Sequence, residues 1–348
     1  MPAISIDTFF ACSLMITVVV AAMAVTAKMV QPYLSGIEDL DQKEYLREIA
    51  DYILLNPGSP QNWGSNKTSP IESFGLAKNG SLVPYELDID KVCRLNPENA
   101  YHINYLSLIK AIKAKKVAIR ISIQQILDIL TTPIANQSDG SLTNYTFQIR
   151  IKRNGFPVSA SIHCYIIAKN FFNYVSAETS SNGEATVSFT IPNSSNGTAL
   201  LVTFARSSQD SRITSYAVYA FGHLSGNPLP NNSFVSLSPL NYTLYVNKLF
   251  ENATFLEAYA LTYSYNETIT PISNVTYAVP KFLDKSPIVL VVTGTNSSTF
   301  FAEWTAYPQI PLEMGANMQS SECASFIYTA SINQALYEVR IQCEGASE

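Results

Sequence analysis

The chain has 348 residues, long enough for two or three domains with cores of their own. Asp, Glu, Lys and Arg make up only 14% of it, against roughly 25% for an average soluble domain; Ser, Thr, Asn and 20 tyrosines supply polarity instead. The net charge of -5 is mild and leaves no nucleic-acid footprint, so nucleic acid is excluded as a partner.

The first element is apolar. Between Asp7 and Lys28 stand 20 residues without a charge, Thr8 to Ala27, rich in Val, Ala, Ile, Leu, Met and Phe. A helix of about 20 residues rises about 30 Å, the thickness of a bilayer's hydrocarbon core. A cleavable secretory signal has a basic start and an apolar stretch of roughly 7–15 residues, whereas Met1 to Asp7 contains no Lys or Arg. Residues 1–30 are therefore read as one retained single-pass anchor that meets membrane lipid through residues 8–27. No second run of similar length follows, which places the rest on one side. Lys28, Lys43 and Arg47 after the anchor would put that side in the cytoplasm by the positive-inside rule. Long domains translocate largely regardless of charge, and two other signals point outward.

One signal is a set of twelve Asn-X-Ser/Thr sequons, at Asn66, Asn79, Asn136, Asn144, Asn193, Asn196, Asn231, Asn241, Asn252, Asn266, Asn274 and Asn296, all beyond the anchor. The other is cysteine. Cys12 lies within the anchor, and Cys93, Cys164, Cys323 and Cys343 form an even set compatible with two disulfides, whose pairing the sequence leaves open.

After the anchor, Pro32 and Gly36 are expected to interrupt the helix. Residues 31–58 then read as an amphipathic stalk helix. Leu46, Ile49, Ala50, Ile53 and Leu54 fall on one face, and Pro57 and Gly58 form its end. That face packs either on its own domain or on other subunits. Residues 59–135 read as a small mixed α/β segment, with LDIDKVCRLN and NYLSLIKAIKAKK helix-like and VAIRISIQ a strand. Lys110, Lys113, Lys115, Lys116 and Arg120 form a basic cluster there, a solvated helix face or a contact for anionic lipid or glycan.

From 143 to 223 the period becomes two. Tyr145, Phe147, Ile149 and Ile151 alternate with polar residues, as do Val158, Ala160, Ile162 and Cys164, and then Ala185, Val187, Phe189 and Ile191. Asn-Gly pairs at 154–155, 182–183 and 196–197 supply turns. With ITSYAVYAFG closing the set, this region is read as an immunoglobulin-like β-sandwich. Residues 230–345 read as a second, C-terminal β domain with strands YTLYVN, TFLEAYALTYSY, VTYAVP, PIVLVVTG, TFFAEWTAY, ASFIYTASI and ALYEVRIQC. The last two form a hairpin about Asn333 and Gln334. Matching their apolar faces sets Phe326, Tyr328 and Ala330 opposite Ile341, Val339 and Tyr337, and Cys343 opposite Ala324. The fold class is mainly β.

No catalytic, cofactor or metal motif is found. His102 and His223 lack partners at metal-ligand spacing, and His163 falls on the outward face of its strand. Nucleophile-elbow, zincin, Walker and dinucleotide-loop patterns are absent. Asp88 and Asp90 in LDID open a helix, as caps or as a calcium pair. Trp63 and Trp304 read as core or glycan-stacking residues.

The stretch AISID stands at the doorway of the apolar helix. Ser5 or Asp7 suits a helix N-terminus as a cap. The arrangement also resembles the archaeal class III signal of type IV pilin-like proteins, a Q-x-S-x-E core immediately before the apolar helix, with Ala3 and Asp7 here in place of Gln and Glu. YILLNPGSPQNWG, FGLA, PYELDIDKVCRLN and INQALYEVRI are likewise similar to pilin-like membrane-anchored surface proteins of archaea. The resemblance implies that Ala3 is the first mature residue and that the Asp7 carboxylate neutralises the amino terminus of a neighbouring subunit. It implies pilin-like subunits as partners through the N-terminal helix. The expectation is a non-enzymatic cell-surface structural or adhesion protein with its C-terminal domains extracellular. It would bind a surface protein or glycan and serve either alone or as a minor or tip component of a filament. The alternative is a surface carbohydrate-active or other hydrolase with an immunoglobulin-like accessory module, which requires paired carboxylates in a polar cleft.

Overall fold

The computed structural model describes residues 6–68, 70–114, 117–318 and 323–345, with side chains throughout these segments except at 6–8 and 30–41. Strands take 50% of the residues and helices 16%, so the protein is mainly β with an N-terminal apolar helix. It divides into two units, one running to Ile49 and the other beginning at Ala50.

Helix α1 (Ile6–Leu55) continues through Pro32 and Gly36. The expected anchor and stalk are thus one helix. A proline removes a single N–H from the ladder and bends a helix that has strong turns on both sides, while an isolated glycine costs about 1 kcal/mol. The apolar stripe Leu46, Ile49, Ala50, Ile53 and Leu54 is buried, as its spacing predicts. The helix stops before Pro57. Gly58 then takes φ +75, and its N–H donates to Asn56 Oδ1 at 2.7 Å.

Next come β1 (Glu86–Leu87), α2 (Ile89–Cys93), α3 (Tyr105–Ile112) and β2 (Val117–Gln125). The first sandwich is built from β3 (Asp128–Asp139), β4 (Leu142–Arg153), β5 (Phe156–Pro157), β6 (Ala160–Ala168), β7 (Phe171–Glu178), β8 (Glu184–Pro192), β9 (Gly197–Ser207) and β10 (Thr214–His223). In its outer sheet β4 pairs with β3, β5 and β8; its inner sheet has the order β10-β9-β6-β7. The alternating apolar residues of β4, β6 and β8 fill the space between them. Of the three Asn-Gly pairs, only Asn154-Gly155 has both residues at positive φ, as a two-residue primed turn demands.

The second sandwich contains β11 (Val235–Leu240), β12 (Thr243–Lys248), β13 (Ala253–Leu261), β14 (Asn266–Thr268), β15 (Pro271–Ser273), β16 (Thr276–Ala278), β17 (Ile288–Asn296) and β18 (Thr299–Tyr307). Its outer sheet has the order β11-β12-β16-β15 and its inner sheet β14-β13-β17-β18. Leu237, Leu244, Val246, Leu290, Val292 and Phe301 lie in its core.

The two inner sheets pack back to back. Tyr165, Ile167, Leu200, Val202 and Phe204 meet Tyr259, Leu261, Val289, Val291 and Phe300 in a third core. The result is four stacked sheets, of which the middle two are buried on both faces. This explains the apolar runs ALLV in β9 and IVLVV in β17, where alternation fails because neither face sees water. The outward face assigned to His163 is likewise occupied. Its ring lies 4.7 Å from Tyr165 and 5.5 Å from Tyr174.

A fifth sheet, ordered β1-β20-β21-β2-β19, brings together β19 (Leu312–Gly315), β20 (Ala324–Ile332), β21 (Ala335–Gly345) and the earlier β1 and β2. Strand pairing therefore divides the chain otherwise than the sequence intervals. β2 joins the C-terminal hairpin, and β3 begins the first sandwich at Asp128 rather than near 143. The hairpin register is the one that matched apolar faces require: Phe326 pairs with Ile341, Tyr328 with Val339, Ala330 with Tyr337 and Ala324 with Cys343. Asn333 and Gln334 form its turn at positive φ.

An ion pair closes the seam between the sandwiches. Arg206 of β9 donates to Asp284 at 2.6 Å, and Asp284 also accepts from Ser264 N–H and Ser286 Oγ–H. Burial alone would raise the Asp284 pKa; the Arg206 guanidinium and these donors outweigh it and hold the carboxyl below its usual value. A carboxyl depressed in the folded state contributes stability that is complete above its unfolded pKa and lost as pH falls through the folded value. Urea melts from pH 7 to 2 should show this acid limb. Asp284→Asn should flatten it and cost about 1–3 kcal/mol at neutral pH, because half-buried Arg206 loses its counter-charge.

Candidate functional site

The motif residues after α1 fold together into a collar at the end of the helix. Trp63 is fully buried at its centre, with Nε1 donating to Gly75 O at 3.0 Å and its ring 5.6 Å from Phe74. Gly75 is required by close approach, since a Cβ there would lie 2.1 Å from Asn56 O. Two cations complete the knot. Lys91, fully buried, donates to Pro57 O at 2.9 Å and Ala77 O at 2.7 Å. Arg94 donates to Tyr101 O and Asn66 O, both at 2.9 Å, and to Trp63 O. Burial pushes the Lys91 ammonium below its usual pKa, with Asp88 opposing. The only signal for these two in the sequence is KVCRL, where charges sit within an apolar stretch.

The LDID pair resolves into a cap and a strut. Asp88 is the N-cap of α2, its Oδ1 accepting from Asp90 N–H at 3.0 Å and Lys91 N–H at 3.1 Å. Asp90 instead reaches the second sandwich, accepting from Tyr307 Oη–H and Asn241 N–H, both at 2.7 Å. Burial raises its pKa against these two donors. A buried amide network continues the junction. Asn99 Nδ2 donates to Gln309 Oε1 at 2.6 Å and to Pro239 O at 3.1 Å, Asn96 Nδ2 to Gln309 O at 3.0 Å, and Gln309 Nε2 to Leu237 O at 3.3 Å.

A cleft of about 330 Å³ beside this junction is lined by Asn96, Glu98, Tyr216, Trp304 and Glu313, among others. Both its carboxylates are engaged. Glu98 accepts from Asn232 Nδ2 at 3.3 Å, and Glu313 pairs with Arg120 at 2.5 Å, which holds the Glu313 carboxyl below its usual range. Of the expected basic cluster, Arg120 lies on β2 and is paired, Lys110 and Lys113 lie at α3, and Lys115 and Lys116 lie outside the described residues. Behind the cleft, buried Glu303 accepts from the N–H groups of Asn232, Ser233 and Phe234, and burial raises its pKa to about 7 against those three donors. Among the described residues no group of three or more His, Cys, Asp or Glu could hold a metal ion.

The five cysteines are free thiols in the structure, which gives the expected disulfides no support. Cys164 lies in the core of the first sandwich and Cys93 in that of the second, so the inner sheets separate them. Cys343 is buried and Cys323 half-buried, and the register sets Cys343 opposite Ala324. Ser5 lies outside the described residues; Asp7 falls in the first turn of α1. None of the twelve sequon asparagines is buried. Asn66, Asn193 and Asn296 are half-buried, and the other nine, Asn79, Asn136, Asn144, Asn196, Asn231, Asn241, Asn252, Asn266 and Asn274, are exposed. Within α1 the 21 residues Phe9–Met29 are long and apolar enough to cross a membrane and are exposed throughout. Thr17 and Thr26 bond their hydroxyls back to Ser13 O and Ala22 O, which satisfies them without water.

No known protein family and no curated protein matches the chain. Among solved structures, HBP35 of Porphyromonas gingivalis is similar at 8% identity with a TM-score of 0.21, over 56% of this chain and 64% of that one. Red sea bream transglutaminase is similar at 7% and 0.20, over 56% and 32%, and human GIVD cytosolic phospholipase A2 at 6% and 0.15, over 67% and 33%. The chain spans less than two thirds of the length of each, and likeness at this level carries no functional argument.

If Asp90 is a strut and not a calcium ligand, calcium leaves the melting temperature unchanged. Asp90→Ala then lowers stability by about 1–3 kcal/mol for each donor it orphans, read in urea melts. Asp90→Asn, which keeps one acceptor oxygen, costs less.

Proposed function

We propose that the protein is a membrane-anchored, non-enzymatic structural or adhesion component of a cell surface, with the collar and the β layers outside and the α1 segment Phe9–Met29 in the bilayer. The observation that carries the reading is α1 itself. Its apolar stretch has no covering partner among the described residues, yet the same helix ends in the densely bonded collar. Such a helix would tether the β layers to a membrane. The surface distribution of the sequon asparagines supports an external, N-glycosylated face. The resemblance of AISID to the archaeal class III signal adds assembly with pilin-like subunits through α1. The hydrolase alternative needs a carboxyl held protonated as general acid. In the cleft, Glu313 is pulled the other way by Arg120. Glu303 does have a raised pKa, but it is buried behind the cleft with its oxygens taken by three backbone donors, so the non-enzymatic reading is preferred.

Shearing intact cells and comparing the sheared fraction with the membranes tests the filament role. Recovery in sheared filaments, with an N-terminal peptide beginning at Ala3, is the outcome for a filament subunit. Retention wholly in the membrane identifies a stand-alone anchored protein. Recovery as a soluble, unanchored chain would overturn the anchored reading itself.

Glycopeptide mapping of the same material has its own expected pattern. Asn193 donates its amide to Gly140 O at 2.9 Å and Ser138 Oγ at 3.3 Å, and Asn231 donates to Trp304 O at 2.8 Å. These two acceptors should be unoccupied, while exposed Asn252 and Asn274 carry glycan.

A further inference from the structure

The open end of the first sandwich holds an aromatic groove. It lies between β3, at one edge of the outer sheet, and β10, at the matching edge of the inner sheet, and encloses about 530 Å³. Tyr145 and Phe147 of β4 form its floor, and the half-buried rings of Tyr219 and Phe221 form its wall. Tyr219 and Phe221 stack with centroids 6.1 Å apart and planes 23° apart, and Phe221 lies 5.0 Å from Tyr145. The floor is fixed from behind. His223 Nε2–H donates to Pro192 O at 2.9 Å, which leaves Nδ1 to accept the Tyr145 hydroxyl at 3.0 Å.

One sequon asparagine is aimed into this groove. Register pairs Asn136 with Tyr145, and cross-strand partners project from the same face of a sheet. The irregularity between Pro133 and Ala135 produces this. It shifts the strand by one residue, so that Asn136, and not Ala135, faces inward. Asn144, the acceptor on the adjoining strand, pairs with Gln137 and projects from the opposite face. Asn136 lines the groove and is exposed, and its side chain makes no hydrogen bond among those of the described residues.

We propose that Asn136 carries an N-linked glycan whose first pyranose rings fold back into this groove and stack on Phe221 and Tyr219. The proposal rests on the external, glycosylated reading given above and goes further by assigning an occupant to the cavity. The chemistry is complementary. A pyranose presents a face of C–H groups that packs on aromatic rings, and its hydroxyls reach the groove's polar rim at Asn227 and the Gly222 backbone. The tether confines the sugar within reach of the cross-strand Tyr145, which raises its effective concentration at the wall. Exposed Ile134, next to the groove on β3, would be covered as well.

The test uses full-length protein from native membranes, compared as wild type, Asn136→Gln, Phe221→Ala and the control Asn252→Gln. Site occupancy is read by glycopeptide mass spectrometry and backbone protection of 217–223 by hydrogen exchange. The expected result is an occupied Asn136 and exchange over 217–223 at least ten-fold faster in Asn136→Gln, with no change there in Asn252→Gln. Phe221→Ala should keep Asn136 occupied while the glycan becomes accessible to glycosidase digestion. Glycan at other sequons with Asn136 bare overturns the proposal and leaves the surface reading standing. So does an occupied Asn136 whose loss leaves 217–223 unchanged. A protein without glycan at any sequon overturns both.

Discussion

The arrangement of the large unit depends on the contact between its two inner sheets. Each inner sheet has apolar side chains on both faces, so neither sandwich could stand alone in water without exposing Tyr165, Ile167 and Val202, or Leu261, Val289 and Val291. Fully burying one such side chain is worth roughly 1.5–3 kcal/mol, so the back-to-back contact outweighs any single polar interaction around it. It also sets where polar groups can go. Arg206 and Asp284 meet at the seam because that is where both charges find partners, and His163 has been drawn into an aromatic stack on a face that one sandwich alone would leave wet.

The collar follows a different physical logic. It packs a short stretch of chain around buried Trp63 and Phe74, and it is held by two cations, with Asp88 the carboxylate that acts on Lys91. Lys91 and Arg94 are neutralised mainly by carbonyl dipoles, five main-chain oxygens in all: Pro57 and Ala77 for the lysine, Tyr101, Asn66 and Trp63 for the arginine. Such groups bind loops that have no secondary structure to satisfy them. They also make the site intolerant of change, because removing one cation orphans several carbonyls at once. Asp90, Asn96, Asn99 and Gln309 then tie this knot to the second sandwich by direct hydrogen bonds.

Much of this architecture was legible in the sequence, for physical reasons. Strands with one wet face alternate, so the side-chain directions of β4 and β8 and the register of the terminal hairpin are legible from the sequence. The back-to-back packing was not legible, because a continuous apolar run such as IVLVV says only that both faces are dry and not what covers them. Pro32 and Gly36 suggested a break that a long helix absorbs. The even cysteine count suggested bridges, but Cys93 and Cys164 are small apolar residues in separate cores. In LDID the cap was visible, while the role of Asp90 depended on Tyr307, 217 residues away. The inward aim of Asn136 depended on an irregularity at Pro133 that no periodicity reveals.

The sparse charge of the chain has a consequence at the sheet edges. Edge strands invite pairing with other chains, and proteins commonly block them with charged side chains, prolines or irregular pairing. Here charge is scarce. Pro133 and the irregularity beside it blunt β3, and Gln125 caps part of β10 by exchanging two hydrogen bonds with the Tyr216 backbone at 3.1 and 2.6 Å. Three sequons fall at other edge positions or on these same strands: Asn136 within β3, Asn266 at the start of β14 and Asn274 directly after β15. Under the proposed glycosylation, each would carry a bulky hydrated group where a neighbouring strand would otherwise add. Glycans would supply such a barrier at any salt concentration, whereas charges are screened.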